Sequence, residues 1–284
     1  MASAPCRLRR HTREKTSEDV AAMPPVFQDN EVRIVIIGKT GNGKSSAANT
    51  ILGQELCRQS RGMSSGTDRC DWHETFRRGL RIQVTDTPGV CDTHRSRAEV
   101  QREIVKCIAT VTPGPHAVIM ALRCDQRFTD EEYTAYQELK NLFGKQLTKY
   151  MILIFNGVDE LRSEGRTLEM ELRNIPPKLR QVLDEAEGRY VGFSNNSSWR
   201  DRTRQGDFLI DTVASIVKAN GGRCFSNELV QKFEAKMKEE IENIGCPRSE
   251  IKQKIVEDKN STFCGKLLHI LSFGLIPKHV CAVM

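Results

Sequence analysis

Val32-Arg33-Ile34-Val35-Ile36-Ile37-Gly38-Lys39-Thr40-Gly41-Asn42-Gly43-Lys44-Ser45-Ser46 decides the fold. The β-branched run Val32–Ile37, interrupted only by Arg33, reads as a buried strand, and Lys44–Leu52 reads as a helix. Between them, Gly38 to Ser45 fit the spacing GxxxxGK[ST]. A glycine-rich turn in that position lets successive main-chain N–H groups converge on phosphate oxygens, and the helix adds its positive end. Gly38, Lys39, Thr40, Gly41, Asn42, Gly43, Lys44, Ser45 and Ser46 are therefore the expected nucleotide contacts. Lys44 is expected to reach the β and γ phosphates as a catalytic cation, and the Ser45 hydroxyl to ligate Mg²⁺.

Outward from this stretch, apolar runs alternate with glycine-bearing turns and amphipathic segments, the texture of a parallel sheet with helices on its faces. Strands are expected at Val32–Ile37, Trp72–Phe76, Leu80–Thr85, Ala117–Leu122, Tyr150–Phe155 and Tyr190–Phe193, with the second and third joined as a hairpin through Arg78-Gly79. Helices are expected at Lys44–Leu52, Glu99–Thr110, Asp130–Phe143, Thr167–Glu187 and Asp207–Lys218. The pattern predicts an α/β, three-layer P-loop domain with a mostly parallel six-stranded sheet. Residues 1–30 read as a disordered basic lead-in, 31–222 as the nucleotide domain and 223–284 as a helical extension appended to it. Within that extension, Asn227–Ile244 and Ser249–Glu257 read as helices, and Phe263–Ile276 as an amphipathic tail.

Three further motifs bear on which nucleotide binds. Asp86-Thr87-Pro88-Gly89 ends the third strand, where an aspartate stands beside the Mg²⁺ shell and a glycine N–H faces the γ-phosphate. Asp86 is thus a candidate metal residue and Gly89 a candidate catalytic one. Asn156-Gly157-Val158-Asp159 closes the fifth strand. A carboxylate there accepts both guanine N1–H and the 2-amino group, a pairing that adenine does not offer, so Asp159 is the residue expected to select guanine. Asn195, after the sixth strand, lies where a short loop meets the base, and Thr67, between the first two strands, lies where a hydroxyl senses the γ-phosphate and Mg²⁺. A plain turn or polar loop is the alternative for each of these segments.

Taken with Thr67 ahead of Cys70, Asp86 to Thr93, Pro113-Gly114-Pro115-His116 and the box Arg127-Phe128-Thr129-Asp130-Glu131-Glu132, these motifs resemble the immunity-associated GTPases, the GIMAP or IAN family with an AIG-type domain. The resemblance runs from about Glu31 to Gly222. It implies a Ras-like, septin-related fold, GTP/GDP and Mg²⁺ as cofactors, and a homodimer or oligomer formed across the nucleotide face, as in septins and chloroplast outer-envelope receptor GTPases. The family usually carries a lysine where this chain has Gly157.

Hydrolysis of GTP needs γ-phosphate charge neutralised and a water positioned. Val90 follows the Asp86–Gly89 motif where many small GTPases place a glutamine, so unaided turnover is expected to be slow and stimulated by dimerisation or a partner. Arg102 and Lys106 are candidates for a basic group reaching across a dimer; solvated helix charges are the alternative. A scaffold that holds GTP without hydrolysing it is the competing function.

The 284 residues carry 43 Lys+Arg against 37 Asp+Glu, a net +6 interleaved along the chain, which nominates no nucleic-acid partner. Ten scattered cysteines without a CxxC pair fit reduced thiols, and neither a secretory signal nor a run of about twenty apolar residues is present. A cytoplasmic protein is expected. The last four residues, Cys281-Ala282-Val283-Met284, form a C-a-a-X box, making Cys281 a candidate lipidation site. With the apolar tail before it, the box suits a peripheral site on the cytosolic face of a membrane, although the same apolar residues would serve a helix folded back on the domain.

Overall fold

A computed structural model describes residues 26–27, 30–57, 70–87, 97–257 and 265, with backbone alone at 97–102 and 104. The strands are Glu31–Ile37 (β1), Asp71–Arg77 (β2), Leu80–Asp86 (β3), Ala117–Arg123 (β4), Met151–Asn156 (β5) and Tyr190–Phe193 (β6). They form one sheet in the order β2-β3-β1-β4-β5-β6. Every neighbouring pair is parallel except β2 with β3, the hairpin at one edge. The central strands are buried on both faces: β5 along its whole length, β1 at all but Glu31 and β4 at all but Arg123. Continuous apolar strands of this kind are what a parallel sheet covered by helices on both sides requires.

The helices are Lys44–Leu52 (α1), Arg97–Thr110 (α2), Asp130–Phe143 (α3), Val158–Ser163 (α4), Leu168–Glu171 (α5), Pro177–Glu185 (α6), Trp199–Ala219 (α7), Glu228–Ile244 (α8) and Arg248–Glu257 (α9). Helix α1 lies against β1–β3 and packs on α7, α3 packs on α6, and α2 packs on α8 and α9. Among the described residues, no helix is long and apolar enough to cross a membrane.

Two helix expectations are corrected. The single helix expected over Thr167–Glu187 is broken into α5, a 3-10 turn at Leu172–Asn174 and α6. Ile175 and Pro176 are extended, with ψ of 156° and 147°, because a proline ring clashes with a helical residue before it; Pro177 then opens α6 at its first turn. Helix α7 begins eight residues earlier than expected, at Trp199, because the Ser198 hydroxyl accepts from the Asp201 N–H and caps it.

Residues 223–257 join the core of the domain and make no second one: Phe225, Leu229, Val230, Phe233, Met237, Ile251 and Ile255 belong to the same buried cluster as the sheet. The Phe225 ring meets Tyr150 and Phe143 edge-on, at 5.8 and 6.1 Å between centroids. Its N–H donates to Pro115 O at 2.9 Å. Arg248 forms a forked pair with Glu234 at 2.6 and 2.8 Å, joining α8 to α9, and donates to Thr112 Oγ1 at 3.1 Å. The amphipathic tail expected at 263–276, apart from Gly265, lies outside the described residues.

Helix α9 also inserts a cation. Lys252 is fully buried, donates to Gln83 Oε1 at 2.7 Å and lies 5.9 Å from the Trp72 ring centre. Gln83 in turn donates to Glu31 Oε1 at 2.7 Å, and Glu31 pairs with Arg33. Burial lowers the Lys252 pKa to about 7, Arg33 and Arg248 push the same way, and Glu31 and Glu74 oppose. In the unfolded chain the amine keeps its ordinary value near 10.5. Between these values the unfolded state binds more protons, so this group's contribution to stability rises with pH above 7 and is lost as pH falls back through 7. Urea melts at pH 7 and pH 9 are expected to show that rise, about 2 kcal/mol from this group, and Lys252→Met is expected to flatten it.

Candidate nucleotide site

The phosphate loop leaves β1 at its carboxyl end and is fixed from behind. Gly38 has φ +148°, and a Cβ there would lie 2.5 Å from Ala121 O on β4, so a larger residue would drive the loop off the sheet. Asn42 N–H donates to Lys39 O at 3.1 Å, closing the turn. The Asn42 side-chain amide points inward: Nδ2 donates to Ala121 O at 2.9 Å and to Glu132 Oε1 at 2.6 Å. Its own carbonyl accepts from Asn156 Nδ2 at 2.7 Å. Asn42, 2% exposed, is therefore a brace for the loop.

On the open side, Lys44 Nζ donates to Lys39 O at 3.1 Å across the loop and is largely buried. Gly43 caps α1 with no side chain of its own, leaving the helix amides to face the loop. Ser45 Oγ donates to Asp86 Oδ2 at 2.6 Å, bringing together two of the three residues expected to hold Mg²⁺. Asp86 is held by its strand and by Thr87, which donates to Ile36 O from both N (3.2 Å) and Oγ1 (2.8 Å). A hydroxyl and a carboxylate oxygen in contact are the hard donors Mg²⁺ takes, so the pair fits that ion. Thr67, Gly89 and Val90 lie outside the described residues, as do Cys281 and the Arg102 side chain.

Asp159 and Asn195 are neighbours: Asn195 N–H donates to Asp159 Oδ1 at 3.1 Å. Ser194 N–H, beside it, donates to Gln205 Oε1 at 2.9 Å, which ties the loop to α7. Two carbonyl oxygens here, Asn156 Oδ1 and Asn195 Oδ1, are buried and have no hydrogen-bond partner among the described residues. Unpaired buried acceptors are costly, and these two lie beside the Asp159–Asn195 contact. Gly157 sits at φ +84° as the residue before α4, a conformation a lysine enters only under strain.

A forked ion pair adjoins this end of the site. Arg123 meets Asp125 at 2.7 and 2.6 Å and Glu160 at 2.9 Å, and its hydrogen bond holds the Asp125 carboxyl below the usual carboxylate range. A cavity of about 320 Å³ opens between the end of β4, α3 and the α5–α6 segment, lined by Leu122, Phe128, Phe155, Leu168 and Leu172 among others. No phosphate-loop residue lines it, so it is a space beside the site and not the phosphate cradle.

Glu132 closes the box at Arg127–Glu132, and the sequence motifs assign it no role of its own. Thr129 and Glu132 form a capping box at the start of α3: Glu132 Oε2 accepts from Thr129 N at 2.8 Å, while Oε1 takes Asn42. The spacing Thr-x-x-Glu ahead of an amphipathic run carries that signal in the sequence. Lys106, a candidate to reach across a dimer, is 4% exposed and paired with Glu103 at 3.1 Å, so it neither projects from α2 nor is solvated.

The profile of the AIG1 family matches residues 32–244, past Gly222 and through α8. Immune-associated nucleotide-binding protein 9 of Arabidopsis thaliana is 34% identical over 204 residues, covering 71% of this chain and 59% of the relative. Immune-associated nucleotide-binding protein 4 of the same plant is 29% identical over 249 residues, covering 83% and 76%. The chain thus spans less than two thirds of the first of these relatives. Among solved structures, Toc33 from Arabidopsis thaliana in complex with Mg²⁺ and GMPPNP has TM-score 0.52 at 16% identity, covering 67% of this chain and 85% of Toc33. Toc33 in complex with GDP and Mg²⁺ has TM-score 0.51 at 19% identity, covering 66% and 84%. These likenesses bear on the fold, and the profile, spanning most of the chain, settles kinship: the chain belongs to the AIG1 family.

Proposed function

We propose that this protein is a guanine-nucleotide-binding switch or assembly protein that hydrolyses GTP slowly alone and faster as a dimer or with a partner. The observation that carries the reading is the juxtaposition of Ser45 with Asp86 at 2.6 Å at one end of the loop and Asp159 with Asn195 at 3.1 Å at the other. One end offers hard oxygens and a lysine to a magnesium polyphosphate, and the other a carboxylate to a purine. Supporting it, the relatives are named nucleotide-binding proteins, and Toc33, which shares the fold, was solved with GDP, GMPPNP and Mg²⁺.

In this reading the amides of residues 38–46 cradle the phosphates, and Lys44 leaves Lys39 O to meet the β and γ oxygens. Ser45, Asp86 and Thr67 hold Mg²⁺, which supplies neutralisation of charge on the phosphoryl oxygens. Gly89 N–H faces the γ-phosphate. Asp159 takes the N1–H and 2-amino group of guanine, and Asn156 and Asn195 flank the base. With Val90 behind Gly89, the water-orienting group comes from a second copy or a partner. Residues 31–222 form the nucleotide domain in this reading, with 1–30 leading into it and 223–284 extending it. Cys281 is the proposed lipid site, giving peripheral attachment to a cytosolic membrane face.

Calorimetry with Mg²⁺ is expected to show GDP and GTP binding, and Asp159→Asn to weaken guanine nucleotides by about 100-fold or more, since two charge-assisted hydrogen bonds are lost. The same variant is expected to bind xanthosine diphosphate better than GDP; unchanged guanine preference would remove Asp159 from base recognition. Phosphate release per molecule is expected to climb with protein concentration. A rate per molecule that stays flat would rule out stimulation by a second copy, and no release at any concentration would leave a nucleotide-held scaffold.

A further inference from the structure

We propose that Cys57, Asp71 and His73 form a binding site for a transition-metal dication of the zinc type, distinct in donor chemistry from the Ser45–Asp86 pair. The candidate ligand atoms, Cys57 Sγ, an Asp71 carboxylate oxygen and a His73 ring nitrogen, all lie within 4.8 Å of one another. His73 Nε2 and Asp71 Oδ2 are 2.8 Å apart. Asp71 and His73 are two residues apart on β2 and so project from the same face of the strand. That face looks toward the carboxyl end of α1: the next residues along it, Thr75 and Arg77, receive Gln54 Nε2 at 2.9 Å and donate to Ile51 O at 3.1 Å.

The donors are also held in place, which separates a built site from a chance cluster. Cys57, 5% exposed, is clamped by the buried Asn49 side chain: Asn49 Oδ1 accepts from Cys57 N at 2.8 Å and from Leu56 N at 2.9 Å, and Asn49 Nδ2 donates to Cys57 O at 2.9 Å. Asp71 and His73 are fixed by the antiparallel register of β2 on β3, opposite Asp86 and Val84. Sulfur, imidazole nitrogen and carboxylate oxygen are ligands Zn²⁺ accepts together, with a fourth position for water. Magnesium, which demands oxygen ligands, is disfavoured by the same set.

Binding balances simply. The Cys57 S–H bond breaks and its proton goes to solvent as the sulfur–metal bond forms. His73 gives up its contact with Asp71, the ring proton passes through solvent from Nε2 to Nδ1, the freed Nε2 lone pair forms the second bond, and the Asp71 carboxylate supplies the third. Without a metal, burial and then the Asp86 and Asp71 carboxylates push the Cys57 thiol up and keep it protonated. A dication between the same groups reverses that balance.

Titration of the full-length reduced chain with Co²⁺ and then Zn²⁺, in excess Mg²⁺ and without nucleotide, tests the site. About one equivalent is expected to bind, Co²⁺ giving visible bands of four-coordinate geometry and a near-ultraviolet thiolate charge-transfer band. Cys57→Ser is expected to abolish the charge-transfer band. His73→Gln is expected to weaken Zn²⁺ by at least about 10-fold, the lower bound known for groups that merely orient ligands. Cys246→Ser, in the turn between α8 and α9, is expected to change neither. A wild-type chain with no charge-transfer band, or a band that survives Cys57→Ser, would overturn the proposal. Should Cys57→Ser fail to fold, the wild-type Co²⁺ spectrum and the His73→Gln affinity decide alone, an unweakened affinity overturning the site. Because nucleotide is absent from the titration, its outcome is independent of whether guanine nucleotides bind.

Discussion

The site depends on the polar brace that holds a glycine-rich loop at a fixed height above the sheet. A loop that offers its N–H groups to a ligand withholds them from the protein, so its remaining contacts must carry the whole constraint. Here those contacts are few and buried. Asn42 reaches Ala121 on β4 and Glu132 on α3, and Asn156 at the end of β5 reaches Asn42 O. Hydrogen bonds shielded from water, one of them to a carboxylate, are stronger than their exposed equivalents and costly to leave unmade. Three separate segments thus fix one loop, and Asn156 ties the end of β5 to it.

That brace explains why the box at Arg127–Glu132 sits so far along the chain from the loop it serves. Glu132 has two carboxylate oxygens with two tasks: one closes the cap of α3, and the other anchors Asn42. Replacing it with a residue that only caps would leave the Asn42 amide short of a partner. The position therefore needs a carboxylate, within reach of both the α3 amino terminus and the loop.

Most of the sheet was legible in the sequence because continuous apolar runs such as Ala117–Leu122 and Met151–Phe155 have no other stable place than a doubly covered strand. The hairpin edge was legible from Arg78-Gly79. Helix boundaries were less so: apolar periodicity carries through Ile175-Pro176-Pro177 although the proline geometry interrupts it, and the hydroxyl cap at Ser198 lies amid polar residues with no periodicity. Loop composition alone does not reveal that Asn42 turns inward, because that depends on Glu132, ninety positions later. Lys106 illustrates the converse: a lysine on a charged helix reads as solvated until its burial and its pairing with Glu103 are seen.

The hairpin edge of the sheet, where α9 packs, has a different balance. Helix α9 places Ile251 and Ile255 in the core, and burial of two such side chains brings roughly 3–6 kcal/mol. Between them in sequence it also carries Lys252 into the Glu31–Gln83–Arg33 cluster. A fully charged buried ammonium would consume much of the apolar gain. With the pKa lowered to about 7, the amine is largely neutral above neutrality and still donates to Gln83, so the cost falls without loss of the hydrogen bond. The helix that closes the described fold is thereby docked by apolar burial together with a hydrogen bond that survives loss of the proton.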